Sequence, residues 1–228
     1  MKYLNCDIGE RGINHPIDNE LMKYIHIANI ACGGHAGSIE SVEYYTQLAK
    51  HYGVLISAHL SYPDQDRFGR VKMEIATDEL LASLTTQYQL LPCGMIKFHG
   101  ALYHVVNNDA TLANEIGKWL LAQDVQQLIA PPSGYLSSYC QEHGIKVITE
   151  GFIERGYDFV DGKLQLIPRG QYGAELVTVA DALEQYRYLE TGVVNVAGVM
   201  FDLNVDTLCI HSDSLIALDL VKAIVGVE

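Results

Sequence analysis

Seven short apolar runs punctuate the chain: Lys2–Ile8, His26–Ala31, Val54–His59, Met95–Phe98, Gln127–Ala130, Lys146–Gly151 and Thr207–His211. Their hydrophobic residues follow one another with little alternation, the pattern of strands covered on both faces. Longer segments with apolar positions three and four residues apart lie between several of them. Ser38–His51 opens on a capping serine and carries Ile39, Val42, Tyr45 and Leu48 at helical spacing. Thr77–Leu91 begins Thr-Asp-Glu, which places acids in a first turn where the helix dipole favours them. Asp109–Leu121, Pro132–His143, Thr178–Glu190 and Ser214–Val225 follow the same logic. Strands alternating with helices imply βαβ units and a parallel sheet. About seven such units predict an α/β fold of the irregular (β/α) barrel type, with an open doubly wound sheet as the alternative. Asp161-Gly162-Lys163 predicts a tight turn within a hairpin inserted after the sixth strand. No repeat, low-complexity tract or linker divides the chain, so residues 1–228 are expected to form a single domain.

Polar residues fall at particular places in this pattern. Asp7 closes the run Leu4-Asn5-Cys6-Asp7, and His59 closes Leu55–His59. Lys97 and His99 end the fourth run, His211 and Asp213 the last, and Gly33-Gly34-His35 follows the second. In a parallel β/α fold the carboxyl ends of all strands share one face, where the strand-to-helix loops build the site. Asp7, His35, His59, His99 and His211 are therefore expected to converge. His15, His26, His51, His104 and His143 lack that placement and read mostly as surface or loop residues. Carboxylate and neutral imidazole suit zinc, manganese or a similar divalent metal, and Asp7 with His59 and either Asp64 or His99 is a ligand-like set. No HxxxH or HxH spacing fixes it. Gly33-Gly34-His35-Ala36-Gly37 enters a helix, so its free N–H groups suit a carboxylate or an oxyanion.

Composition removes other classes. The formal net charge is −13, from 15 Lys and Arg against 28 Asp and Glu, and no basic run or stripe occurs. Nucleic acid needs clustered cations, so it is not an expected partner. The chain lacks GxxxxGK[ST], a GxGxxG opening a helix, and GxSxG, which argues against a phosphate loop, dinucleotide binding and a serine nucleophile elbow. Five scattered cysteines without a CxxC pair read as buried thiols in a reducing compartment. No signal-peptide pattern and no membrane-length apolar stretch is present, so a cytoplasmic location is expected and a membrane is not.

The same residues carry a resemblance. Leu4-Asn5-Cys6-Asp7-Ile8-Gly9-Glu10, Ala28–Gly37, Ala58–Asp64, Phe68-Gly69-Arg70, Lys97–Tyr103, Asp161-Gly162-Lys163 through Pro168-Arg169, and Cys209–Asp213 occur in the order found in the LamB/YcsF family, the A component of the ATP-hydrolysing 5-oxoprolinase. This sequence departs from the family pattern at Gly34, where an aromatic is usual, at Leu60 and Phe98, which stand for prolines, at Ser212 for glycine and at Glu154 for aspartate. The resemblance implies a barrel related to the glycoside hydrolase/deacetylase superfamily. It also implies ring opening of 5-oxo-L-proline to L-glutamate, driven by ATP hydrolysis, in a complex with two other subunits, B and C. Without a nucleotide motif here, ATP handling is expected mainly on those partners.

Within that reading Asp7 is the candidate general base, alone or through a metal-bound water. His59 and His99 would shuttle a proton to the leaving nitrogen or bind metal, and Lys97 would stabilise developing negative charge. Arg70 or Arg169 would clamp a substrate carboxylate. Asn5, Glu10, Asn29, His35, Tyr103, His211 and Asp213 would hydrogen-bond on the substrate side. Two other readings stay open: a stand-alone metal-dependent amidase or deacetylase acting on a sugar or small amide, and a non-catalytic interaction subunit.

Overall fold

The computed structural model describes residues 2–227; Met1 and Glu228, which the single-domain expectation included, lie outside the described residues. The strands are β1 (Tyr3–Ile8), β2 (Ile27–Ala31), β3 (Leu55–Leu60), β4 (Met95–Phe98), β5 (Gln127–Ala130), β6 (Lys146–Phe152), β7 (Tyr157–Val160), β8 (Lys163–Leu166), β9 (Val193–Val196), β10 (Val199–Asp202) and β11 (Thr207–His211). The helices are α1 (Pro16–Leu21), α2 (Ile39–Tyr52), α3 (Thr77–Leu90), α4 (Gly100–Asn108), α5 (Ala110–Ala122), α6 (Tyr135–Glu142), α7 (Val179–Glu190) and α8 (Ala217–Val225).

The seven apolar runs are the seven staves of a closed barrel in the order β1-β11-β6-β5-β4-β3-β2, every pair parallel. Closure satisfies the backbone groups that an open sheet would leave on its edges. It also explains why the runs read as continuously apolar. Outward residues such as Leu4, Cys6, Ile8, Ile30, Leu60, Ile96, Phe98 and Leu208 sit beneath the helices in the main core. Leu60 and Phe98, two of the departures from the family pattern, are simply buried there. Inward apolar residues form a separate plug of Ile27, Met95, Ile129 and Ile148.

The other inward positions are polar and buried: Asn5, Asn29, Ser57, Lys97, Glu150 and Thr207. Period-two alternation puts these residues inside on the same strands whose intervening residues face the helices. The register then sets heights. Asp7 pairs with His211 on one side and Asn29 on the other, while His59 pairs with Ala31 and Lys97. Among the described residues no helix is long and apolar enough to cross a membrane.

Three elements depart from the sequence reading. Helix α1 is six residues long, too short to show a period, and starts on Pro16. Helix α4 begins on Gly100 and runs into Asp109, whose carboxylate accepts the Thr111 and Leu112 N–H groups at 3.0 Å and starts α5. The β9–β10 hairpin turns through Ala197 and Gly198, both at positive φ. Alanine is an uncommon choice for that conformation, so the turn left no sequence signal. The β7–β8 hairpin does turn at Asp161-Gly162 as expected, again with both residues at positive φ.

Candidate active site

Inside the barrel mouth the strand ends bring two groups of side chains together. The first centres on Lys97. Its ammonium lies 3.0 Å from Asp7 Oδ1, 3.2 Å from Asn5 Oδ1, 3.1 Å from Cys209 Sγ and 2.8 Å from Glu150 Oε1. Asn29 Nδ2 donates to Asn5 Oδ1 at 2.8 Å and Asp7 Oδ1 at 2.9 Å, and Asn5 Nδ2 donates to Thr207 Oγ1 at 3.1 Å. All of these residues are buried. Charges so far from water persist only with opposite partners. Burial alone would raise the Asp7 carboxyl, but His59 and Lys97 hold it well below the usual carboxylate range. Burial alone would lower the Lys97 ammonium, but Asp7, Cys209 and Glu150 hold it well above the usual range. Both are ionised at neutral pH.

The second group centres on Glu10, in the loop after β1. Its Oε1 lies 2.8 Å from His35 Nε2, 3.2 Å from His99 Nδ1 and 3.7 Å from His59 Nε2. His59 Nε2 and His99 Nδ1 are 3.1 Å apart, and the His35 and His99 rings stack at 3.6 Å with 2° between their planes. His59 Nε2 also approaches Asp7 Oδ2 at 3.3 Å, which joins the two groups. Burial, followed by the neighbouring His99, pushes His35 down to about 3, and burial also lowers His99. These two rings are neutral at pH 7. The loop carrying Glu10 is pinned by Asp18 of α1, which accepts the Gly9 N–H at 3.0 Å and an Arg11 N–H at 2.8 Å.

The segment after β3 packs over this group. Phe68 O accepts from His99 Nε2 at 3.0 Å. Gly69, at φ +61°, leaves no spare room, since a β-carbon there would sit 3.0 Å from His35 Cβ and 3.2 Å from His99 Cδ2. At Gly34 a β-carbon would collide with Gln87 Oε1 and Ser61 Oγ. Gln87 fills that space by accepting the Ser61 N–H at 3.0 Å and donating to Ser61 O at 2.9 Å. An aromatic at position 34 has no place in this packing.

His211 links the buried groups to a cavity of about 270 Å³ rimmed by Arg70, Arg155, Arg169, Glu154 and Asp213. Its Nδ1 makes a very short contact with Glu154 Oε1, its backbone N–H donates to the same oxygen at 2.9 Å, and its Nε2 faces Asp7 Oδ2 at 3.9 Å. Burial disfavours the charged ring, but Glu154 and then Asp7 outweigh it and raise the His211 pKa. Phe152 stacks on His211 and meets the Tyr103 ring edge-on. The Tyr103 hydroxyl is buried with no hydrogen-bond partner among the described residues, and burial, reinforced by Glu150, pushes its pKa well up. Arg70 pairs with Asp213 at 2.6 Å and Arg169 with Glu175, each guanidinium keeping further donors. Arg155 is buried and donates to Ala174 O and Ile167 O, which fastens the loop around the rim.

The expected convergence of Asp7, His35, His59, His99 and His211 is thus observed, with Asn5, Glu10, Asn29, Lys97 and Tyr103 beside them. Asp64 is not brought in: its carboxylate turns to Arg67, 2.9 Å from Nε, and lines a separate, more open depression with Pro63, Gln65 and Met73. The metal-ligand set Asp7, His59 and Asp64 therefore does not assemble, and Glu10 with His35 completes the histidine group instead. Sequence reasoning missed Glu150 as a partner of Lys97 and Glu154 as the residue that fixes His211. Glu150 carried the same signal as Lys97, an ionisable residue inside an apolar run.

Comparisons with known proteins bear on the family and the fold. The LamB/YcsF family profile matches residues 3–227. A relative from Carboxydothermus hydrogenoformans, named as the A component of 5-oxoprolinase, is 35% identical over 244 residues, covering 98% of this chain and 92% of that protein. A protein of the same name from Clostridium beijerinckii is 32% identical, covering 97% of this chain and 91% of the relative. The crystal structure of the lactam utilization protein from Thermus thermophilus superposes with a TM-score of 0.84 at 30% identity, covering 100% of this chain and 98% of that one. On the profile, the identities and the shared barrel, the chain belongs to the LamB/YcsF family.

Proposed function

We propose that this chain opens the lactam ring of 5-oxo-L-proline to give L-glutamate, as one member of an ATP-consuming complex with two partner subunits, B and C. The relatives' names, a 5-oxoprolinase component and a lactam utilization protein, support the substrate class. The observation that carries the chemistry is a pair of ionisable groups whose pKa values are pushed in opposite directions, one of which, His211, lines the arginine-bearing cavity. Asp7 is held anionic and the His211 pKa is raised, with the two groups 3.9 Å apart. Titratable neighbours pushed in opposite directions divide base and acid roles between them.

Arg70 and Arg169 clamp the ring carboxylate from the rim. Asp7 orients water and takes its proton, while Lys97 spreads the negative charge that builds up. His211, fixed by Glu154, delivers a proton to the leaving nitrogen as the carbon–nitrogen bond breaks. His59 and His99 lie in the Glu10 group rather than at the cavity, so His211 replaces them in the proton-donor role. Asn5, Asn29, Tyr103 and Asp213 keep these groups in place.

ATP follows from the weakness of the base. A carboxylate drawn on by an ammonium and an imidazole is poorly basic, and an amide carbon is poorly electrophilic. Transfer of the terminal phosphoryl group of ATP to the lactam oxygen activates that carbon. One water then opens the ring to an acyl phosphate, and a second water releases phosphate. The phosphorylation belongs to the partners, and the cytoplasm is the setting we assign to the complex.

Glutamate release from 5-oxoproline, with ATP and with or without the two partners, tests this reading. Asp7→Asn is expected to lower turnover about 10²–10⁴-fold. Full turnover in that variant would remove Asp7 from its role. Turnover by the chain alone without ATP would favour a stand-alone amidase.

A further inference from the structure

The group around Glu10 gathers four potential ligand atoms about one point. A backbone carbonyl only accepts, so the ring nitrogens facing Lys97 O (His59 Nδ1, 3.1 Å) and Phe68 O (His99 Nε2, 3.0 Å) carry the hydrogens. The opposite nitrogens, His59 Nε2 and His99 Nδ1, are the ones left free to ligate. They point at each other across 3.1 Å, beside the anionic Glu10 oxygen. Two lone pairs and a carboxylate repel unless a cation lies among them.

The spacing fits one. Ligands about 2.05 Å from a tetrahedral zinc ion lie about 3.3 Å from one another. Four of the six separations here are 2.8, 3.1, 3.2 and 3.7 Å, and all four ligand atoms fall within 4.8 Å of one another. We propose that Glu10, His35, His59 and His99 form a binding site for a single divalent transition-metal ion, with zinc the best fit. Three imidazoles and one carboxylate suit zinc, cobalt or manganese better than magnesium or calcium, which favour all-oxygen shells. The hydrogen bonds to Lys97 O and Phe68 O are the outer partners that orient metal-bound imidazoles.

The neighbouring set Asp7, Cys209 and His211 also brings ligand atoms together, but the Lys97 ammonium already lies 3.0 Å from Asp7 and 3.1 Å from Cys209. That set has its cation, whereas among the described residues no lysine or arginine pairs with Glu10, only histidines. The site is independent of the proposed reaction and needs no substrate, ATP or partner to be detected.

Chelator-stripped full-length chain, titrated with Zn²⁺ and Co²⁺ by calorimetry, tests the site. One ion per chain is expected, with visible Co²⁺ bands of a low-coordinate nitrogen-rich site and a zinc-dependent rise in Tm. Glu10→Gln and His35→Gln should each weaken binding more than about 100-fold, beyond the roughly 10–100-fold of outer-partner changes. Asp64→Asn should bind as wild type. The Tm of the metal-free wild type with and without zinc reads out the site even if a ligand variant folds poorly. No saturable binding, a proton shared by His59 and His99 being then the cation, would overturn the proposal. So would binding lost in Asp64→Asn but kept in Glu10→Gln.

Discussion

Single residues here act through what they leave unpaired. Lys97 holds two buried carboxylates, Asp7 and Glu150, and touches Asn5 and Cys209 besides. Lys97→Met would strand both acids, and breaking a buried ion pair on one side costs about 3–5 kcal/mol. Urea unfolding at neutral pH should show a loss of that size, and an unchanged midpoint would mean the acids find water or protons instead. His211 makes the pH dependence directional. Its folded pKa is raised above the ordinary value of about 6.5, against burial, by Glu154 and Asp7. Its contribution is therefore complete below the unfolded value and is lost as pH rises through the folded one. The Tm advantage of wild type over His211→Gln should be largest near pH ~6 and shrink toward higher pH. A constant or growing difference would sink that account. Asp7, His59, Lys97, His99 and His211 were all legible in the sequence because each interrupts or closes an apolar run. Glu154 was not, because nothing in Ile153-Glu154-Arg155 says that the chain folds it against a histidine 57 positions on.

At the scale of elements, short pieces position long ones. Helix α1 is six residues long, yet its Asp18 is buried and ties down Gly9 and Arg11 on either side of Glu10. Asp18→Ala would leave the Gly9 N–H unsatisfied and free the loop, at a cost of about 1–3 kcal/mol. We expect a matching loss of zinc affinity through Glu10, with the rest of the barrel intact by circular dichroism. Unchanged zinc affinity in a folded Asp18→Ala chain would show that the loop holds its shape without α1. The long amphipathic helices α2, α3, α5 and α7 were readable because several turns repeat the same face. Helix α1, helix α4 and the β9–β10 hairpin were not: they are too short for a period, or they turn on residues whose backbone is set by their neighbours.

At the scale of the molecule, the first and last barrel strands close the ring, with Tyr3–Asp7 pairing to Thr207–His211. Ending the chain at Asp206 would expose the edges of β1 and β6 and remove Cys209 and His211 together. Such a truncation should melt without a cooperative transition in calorimetry. A sharp melt would mean that six strands suffice. What the sequence determined by itself was a parallel β/α fold and the polar residues at its strand ends, because continuous apolar runs and period-3.6 stretches are written into local spacing. Only the tertiary structure decided which acid meets which base. Closure brings Glu10 rather than Asp64 to the histidines, and Glu150 rather than solvent to Lys97, since those contacts depend on strand register and on loops whose course is set by packing.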